Sequence, residues 1–122
     1  MKKLIITAIL SILGQKAFGT FELIEAAANG DLKTVKYLVE EKKLNPNTPL
    51  ECGIQKGFTP LVIAAAHGSL SVVQYLSGLK NINPNDPLIS GKYEGITPIF
   101  IASQNGHLNI VQYLIEEKKV TP

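Results

Sequence analysis

Apolar and polar positions along this chain fall into blocks that return every 38 residues. Leu61, Ala64 and Ala65 share one face of a short helix, and Leu70, Val73, Tyr75 and Leu76 give a second helix its apolar face. Thr59 is placed to cap the first helix, and Pro60 suits its first position, where a missing N–H costs nothing. Gly68 stands between the two helices and can take the positive φ that ends the first. Ser69 opens the second as its N-cap, a slot held by Asp31 and His107 in the other blocks. Asn83-Pro84-Asn85 and Asp86-Pro87 then break the helix, and an extended stretch returns the chain to Gly95.

The recurrence is in step throughout. Gly57-Phe58-Thr59-Pro60-Leu61 returns as Gly95-Ile96-Thr97-Pro98-Ile99, and Val35-Lys36-Tyr37-Leu38 returns as Val73-Gln74-Tyr75-Leu76 and Val111-Gln112-Tyr113-Leu114. Glu40-Glu41-Lys42-Lys43 reappears two periods on as Glu116-Glu117-Lys118-Lys119. Three units follow, spanning about 20–56, 57–94 and 95–122, the last truncated. The expected class is an all-α repeat: paired antiparallel helices stacked as a solenoid.

A Gly-x-Thr-Pro-Leu opening, an Ala pair, a Gly between helices and a Val-x-Tyr-Leu run together resemble the ankyrin repeat, from about Phe21 to Pro122. That resemblance implies L-shaped units with long β-hairpin loops, and recognition of a protein partner through hairpin tips and the concave helix face. Three departures matter. Val62 and Phe100 occupy the slot where the family commonly has His, so apolar packing replaces a polar link there. The period exceeds the family's usual length of about 33, with most of the surplus in the return loop. The first unit begins Thr20-Phe21-Glu22-Leu23 without Thr-Pro and reads as an N-terminal cap. At the other end, Ile110, Leu114 and Ile115 are expected to line a helix face that lacks a neighbour, which predicts self-association through the C-terminal repeat or fraying there.

Residues 1–19 read differently. Lys2 and Lys3 precede an apolar run from Leu4 to Leu13, and Ala17-Phe18-Gly19 offers small residues at the positions signal peptidase reads. The run is about half the length of a membrane span. Export to a periplasmic or secreted location is the expectation, with a bacterial look to the compact signal. A buried first helix is the competing reading. From Thr20 onward nine Lys face ten Asp and Glu, a net charge of −1, and the chain has no Arg. Nothing there resembles a phosphate-binding stripe, so nucleic acid is not an expected partner.

Chemistry is hard to find. Cys52 is the only cysteine, and His67 and His107 have no companions at zinc-site spacing, so no metal or cofactor is expected. No nucleophile motif surrounds any Ser, and the glycines stand singly at turns. Glu40-Glu41 and Glu116-Glu117 are followed by Lys pairs, as solvated helix ends are. An enzyme is not expected. The candidate contact residues lie at two hairpin tips that share a frame and differ elsewhere: Leu50, Glu51, Ile54 and Gln55 at the first, Ile89, Lys92 and Tyr93 at the second. His67, Gln104 and Asn105 join them from the first helices, where Ile63 and Ile101 read equally well as contacts or as residues buried between units. The expected function is a protein-binding module. The alternative is a structural spacer in a longer array, and continued 38-residue periodicity would favour it.

Overall fold

In the computed structural model, residues 15–120 are described. Unit one is α1 (Gln15–Ala28) and α2 (Leu32–Lys36), the latter running on into a π-helical turn at Tyr37–Glu41. Unit two is α3 (Pro60–His67) and α4 (Leu70–Ser77); unit three is α5 (Pro98–Gln104) and α6 (Leu108–Glu116). The first helices stack as α1 on α3 on α5, and the second helices lie behind them in the same order. Among the described residues there is no β-strand.

The local devices match the reading at the first helices. Thr59 Oγ1 accepts from the Val62 N–H at 3.3 Å, Thr97 does the same for Phe100, and Pro60 and Pro98 open their helices. Gly68 takes φ 78° and closes α3. The second-helix caps differ from expectation. Asp31 caps α2 by accepting from the Thr34 N–H at 3.2 Å, but Ser69 and His107 cap nothing with their side chains. His107 reaches across to the preceding unit instead: its Nε2 lies 3.0 Å from the Ala66 carbonyl oxygen, which also accepts from Asn105 Nδ2 at 2.8 Å. The Glu-Glu-Lys-Lys ends carry a second surprise. Lys43 and Lys119 are left-handed, at φ 58° and 57°, and let Leu44 and Val120 donate back to the Leu38 and Leu114 carbonyls at 3.0 Å. That is the closure a glycine usually provides.

The core is one continuous stripe. Ala27, Ala64, Ala65 and Ala102 are buried where first helices approach one another, and Leu38, Leu76 and Leu114 repeat in the second helices. Small side chains there let backbones come close. Unit three corrects one expectation: Ile110 and Leu114 are fully buried, and the apolar residues left open at this end are Phe100, Leu108 and Ile115. The reason is that Ile110 and Leu114 repeat Val72 and Leu76, which are buried alike in unit two.

A further tie joins units one and two. The Tyr75 hydroxyl donates to Glu40 Oε2 at 2.6 Å, and the Lys36 ammonium lies 5.7 Å from the Tyr75 ring centre. Burial, then the hydrogen bond to Glu40 and its charge, push the Tyr75 phenol from 10.0 up to about 12. The folded state therefore holds this proton more tightly than the unfolded chain. The resulting stability is whole below pH 10 and is lost as pH rises through about 12. Tyr75→Phe should therefore flatten the alkaline decline of the thermal midpoint across that window. Parallel decline in parent and variant would show that the phenol is not tied in the folded protein.

Candidate protein-binding surface

Each return loop folds into a finger pinned by two backbone hydrogen bonds at a single leucine. Leu50 donates to the Phe58 carbonyl at 2.9 Å and accepts from Gly57 at 2.7 Å; Leu88 does the same with Ile96 and Gly95, both at 2.8 Å. A turn closes each tip, through Lys56 N–H to Gly53 and Glu94 N–H to Gly91, both at 3.2 Å. Two hydrogen bonds and a turn are a minimal hairpin, shorter in pairing than the long β-hairpins the resemblance implies.

The two fingers are stacked backbone on backbone. A Cβ on Gly91 would run into the Lys56 carbonyl, and one on Gly57 into the Ser90 carbonyl. Phe58 and Tyr93 meet edge to face beneath the tips, with ring centres 5.2 Å apart. Such a pair adds ~0.5–1.5 kcal/mol beyond its buried area. Lys92 Nζ sits 5.8 Å from the centre of the Tyr93 ring. Among what the stack leaves open are two large apolar side chains: Ile54 is 90% exposed and Ile89 77%. Between the fingers and the start of α3 lies an open cleft of about 340 Å³, walled by Pro49, Leu61, Ile82 and Ile89 with Thr59 and Asp86 among them. Asp86 is the sole ionisable side chain on that wall, so it has no acid–base partner there.

The sequence-derived candidates divide into three groups. Glu51, Ile54, Ile89 and Lys92 are exposed at the tips, with Gln55 half-buried beside them. Leu50 and Tyr93, expected as contacts, turn against the core and hold the fingers in place. His67, Gln104 and Asn105 are exposed at the C-terminal ends of α3 and α5. An eight-residue helix spans about 12 Å, so these three form a second edge rather than part of the finger cluster. Asn105 is also engaged by Ala66. Ile63 is buried, at 1% exposure, and Ile101 is half-buried. Cys52 is an exposed free thiol at the first tip. Sequence reading missed the cross-unit ties of Tyr75 and His107. The tyrosine's return every 38 residues is the available signal, but periodicity alone places it on the helix face and does not reveal a partner in another unit.

Among the described residues no three His, Cys, Asp or Glu side chains stand close enough together to hold a metal ion. No described helix is long and apolar enough to cross a membrane. Stacked helix pairs with fingers projecting from one edge define a solenoid repeat protein. The family described as ankyrin repeats (3 copies) matches residues 3–87 and 23–122, and the chain belongs to the ankyrin-repeat family. A comparison with curated proteins returns no match. Among solved structures, the chain is similar to one in the complex of the Bd0816 predatory endopeptidase from Bdellovibrio bacteriovorus with immunity protein Bd3460. The likeness has a TM-score of 0.66 and 31% identity, covering 82% of this chain and 47% of that one, so this chain spans about half its length. Ankyrin repeats generally mediate contacts between proteins.

Proposed function

We propose that this chain is a non-catalytic binding module that holds its partner protein with the two finger tips and the cleft between the fingers and the start of α3. The edge formed by His67, Gln104 and Asn105 on the concave helix face serves as a secondary contact. The observation that carries this reading is the exposure of Ile54 and Ile89 on a stacked frame. Covering a large aliphatic side chain is worth ~1.5–3 kcal/mol, and a rigid support loses little freedom on binding. The similar solved chain comes from a complex of two proteins, which supports the class of function. The test is affinity capture with the chain taken from the exported fraction, followed by the same capture with Ile54→Asp/Ile89→Asp. The double variant should lose at least ~10-fold in affinity, about 1.4 kcal/mol. A captured protein that binds both forms equally overturns the finger reading.

Export belongs to the same proposal, supported by the order of charge, apolar run and small residues in 1–19. Residues 1–14 lie outside the described residues. Cleavage after Gly19 would trim α1 to Thr20–Ala28, close to the eight residues of α3. The mass of the exported protein should correspond to a start near Thr20, and an extracytoplasmic product retaining Met1 would refute the processing. One observation favours the second reading, a spacer within a longer array: the apolar residues left open on unit three.

A further inference from the structure

The loops that carry the two fingers are built on one frame. Asn45-Pro46-Asn47-Thr48-Pro49-Leu50 returns as Asn83-Pro84-Asn85-Asp86-Pro87-Leu88. The Asn45 and Asn83 side chains accept from the Asn47 and Asn85 N–H groups, both at 2.9 Å. The backbone closes behind them in the same way, Thr48 donating to the Asn45 carbonyl at 3.3 Å and Asp86 to the Asn83 carbonyl at 3.1 Å. The frame therefore differs at one position, Thr48 against Asp86, and the turn forms equally well without a carboxylate. Among the described residues the Asp86 side chain has no hydrogen bond or ion pair of its own. It stands, exposed, on the wall of the cleft between the fingers and the start of α3. Leu61 and Ile82, at 4% and 6% exposure, form the apolar floor there, and Ile89 flanks the mouth. No residue lining the cleft is cationic.

We propose that this cleft receives a lysine or arginine side chain from a surface loop of the partner protein, with its aliphatic stem on the floor and its charge beside Asp86. The volume, about 340 Å³, lies at the small end of ligand-sized clefts. It suits one long side chain and the backbone next to it, and is too small for a folded element. A basic side chain buries its methylenes while its head stays wet, which matches an apolar floor under an exposed carboxylate. Charge decides the occupant. Anything that enters strips water from a carboxylate with no partner of its own. A cation offsets that cost, an aliphatic side chain leaves it uncompensated, and an acidic one adds repulsion. The inference rests on the protein-binding reading and deepens its cleft, but it does not depend on the finger tips.

The probes are four capped alanine pentapeptides with a central lysine, arginine, norleucine or glutamate, titrated into the isotope-labelled chain and followed by amide NMR at low salt. The lysine and arginine peptides should move the signals of Leu61, Asp86, Leu88 and Ile89, and should bind about 5-fold more tightly than the norleucine peptide. The glutamate peptide should leave those signals in place. Asp86→Asn should erase the preference, and so should Asp86→Thr, which carries over the residue of the matching slot in the first loop. Both variants should melt within about 2 °C of the parent, as exposed substitutions do. Glu51→Gln, at an exposed acid on the first tip, should keep the preference. Norleucine binding as tight as lysine and arginine overturns the proposal. So does a preference that survives Asp86→Asn, or the absence of any shift around the cleft. With a captured partner the two readings separate: loss of binding in Ile54→Asp but not in Asp86→Asn strikes the cleft and leaves the tips standing, and the converse result strikes the tips alone.

Discussion

Leu76→Ala should lower stability by ~2–5 kcal/mol, a large share of the ~5–15 kcal/mol that holds a small domain folded. Leu76 is fully buried in the middle unit, between Leu38 and Leu114 in the same slot of its neighbours. Truncation would leave a void that helices on both sides must close, and small side chains such as Ala64 and Ala65 have no reach to fill it. The thermal midpoint followed by circular dichroism should fall by at least ~8 °C. Melting identical to the parent would mean that the second-helix stripe is not the core.

The second large effect is expected at the finger stack, and the repeat supplies its own control. Gly53 and Gly91 occupy the same finger position, with φ 85° and 84°. Alanine at either position meets the left-handed penalty of ~1–2 kcal/mol. At Gly53 the new Cβ meets nothing within 4 Å, whereas at Gly91 it strikes the Lys56 carbonyl, a backbone atom with no side-chain freedom to give way. Gly91→Ala should therefore cost at least ~1 kcal/mol more than Gly53→Ala in denaturant unfolding. It should also weaken partner binding far more, because the two tips would be forced apart. Equal costs would show that the fingers do not stack in solution.

Thr-Pro caps, the inter-helix glycine and the helix pairs were legible because each depends on a few adjacent residues. What escaped was the division of labour across unit boundaries. Ile110, Leu114 and Ile115 lie on one helical stripe, and periodicity cannot separate the part that packs inward from the part that meets a neighbour. Burial makes the separation, at 0% for the first two and 37% for Ile115. The Ser69 and His107 slots looked like local caps, yet His107 finds the Ala66 carbonyl of another unit. At the fingers, variation between copies points to the segments where the chain turns back. It could not tell Ile54, which points to solvent, from Tyr93, which packs against Phe58.

The ties between units are of unequal kind. Counting each finger with the helix pair that it precedes, units two and three share the interlocked finger backbones, the Phe58–Tyr93 pair and the Ala66 carbonyl gripped by Asn105 and His107. Unit one reaches unit two through packed helices and the Tyr75–Glu40 tie, and among the described residues no finger precedes its helices. Both tips therefore ride on the single block that the stacked fingers make of units two and three. Bending, or trimming the start of α1, shifts the front end while the spacing of Ile54 and Ile89 stays fixed.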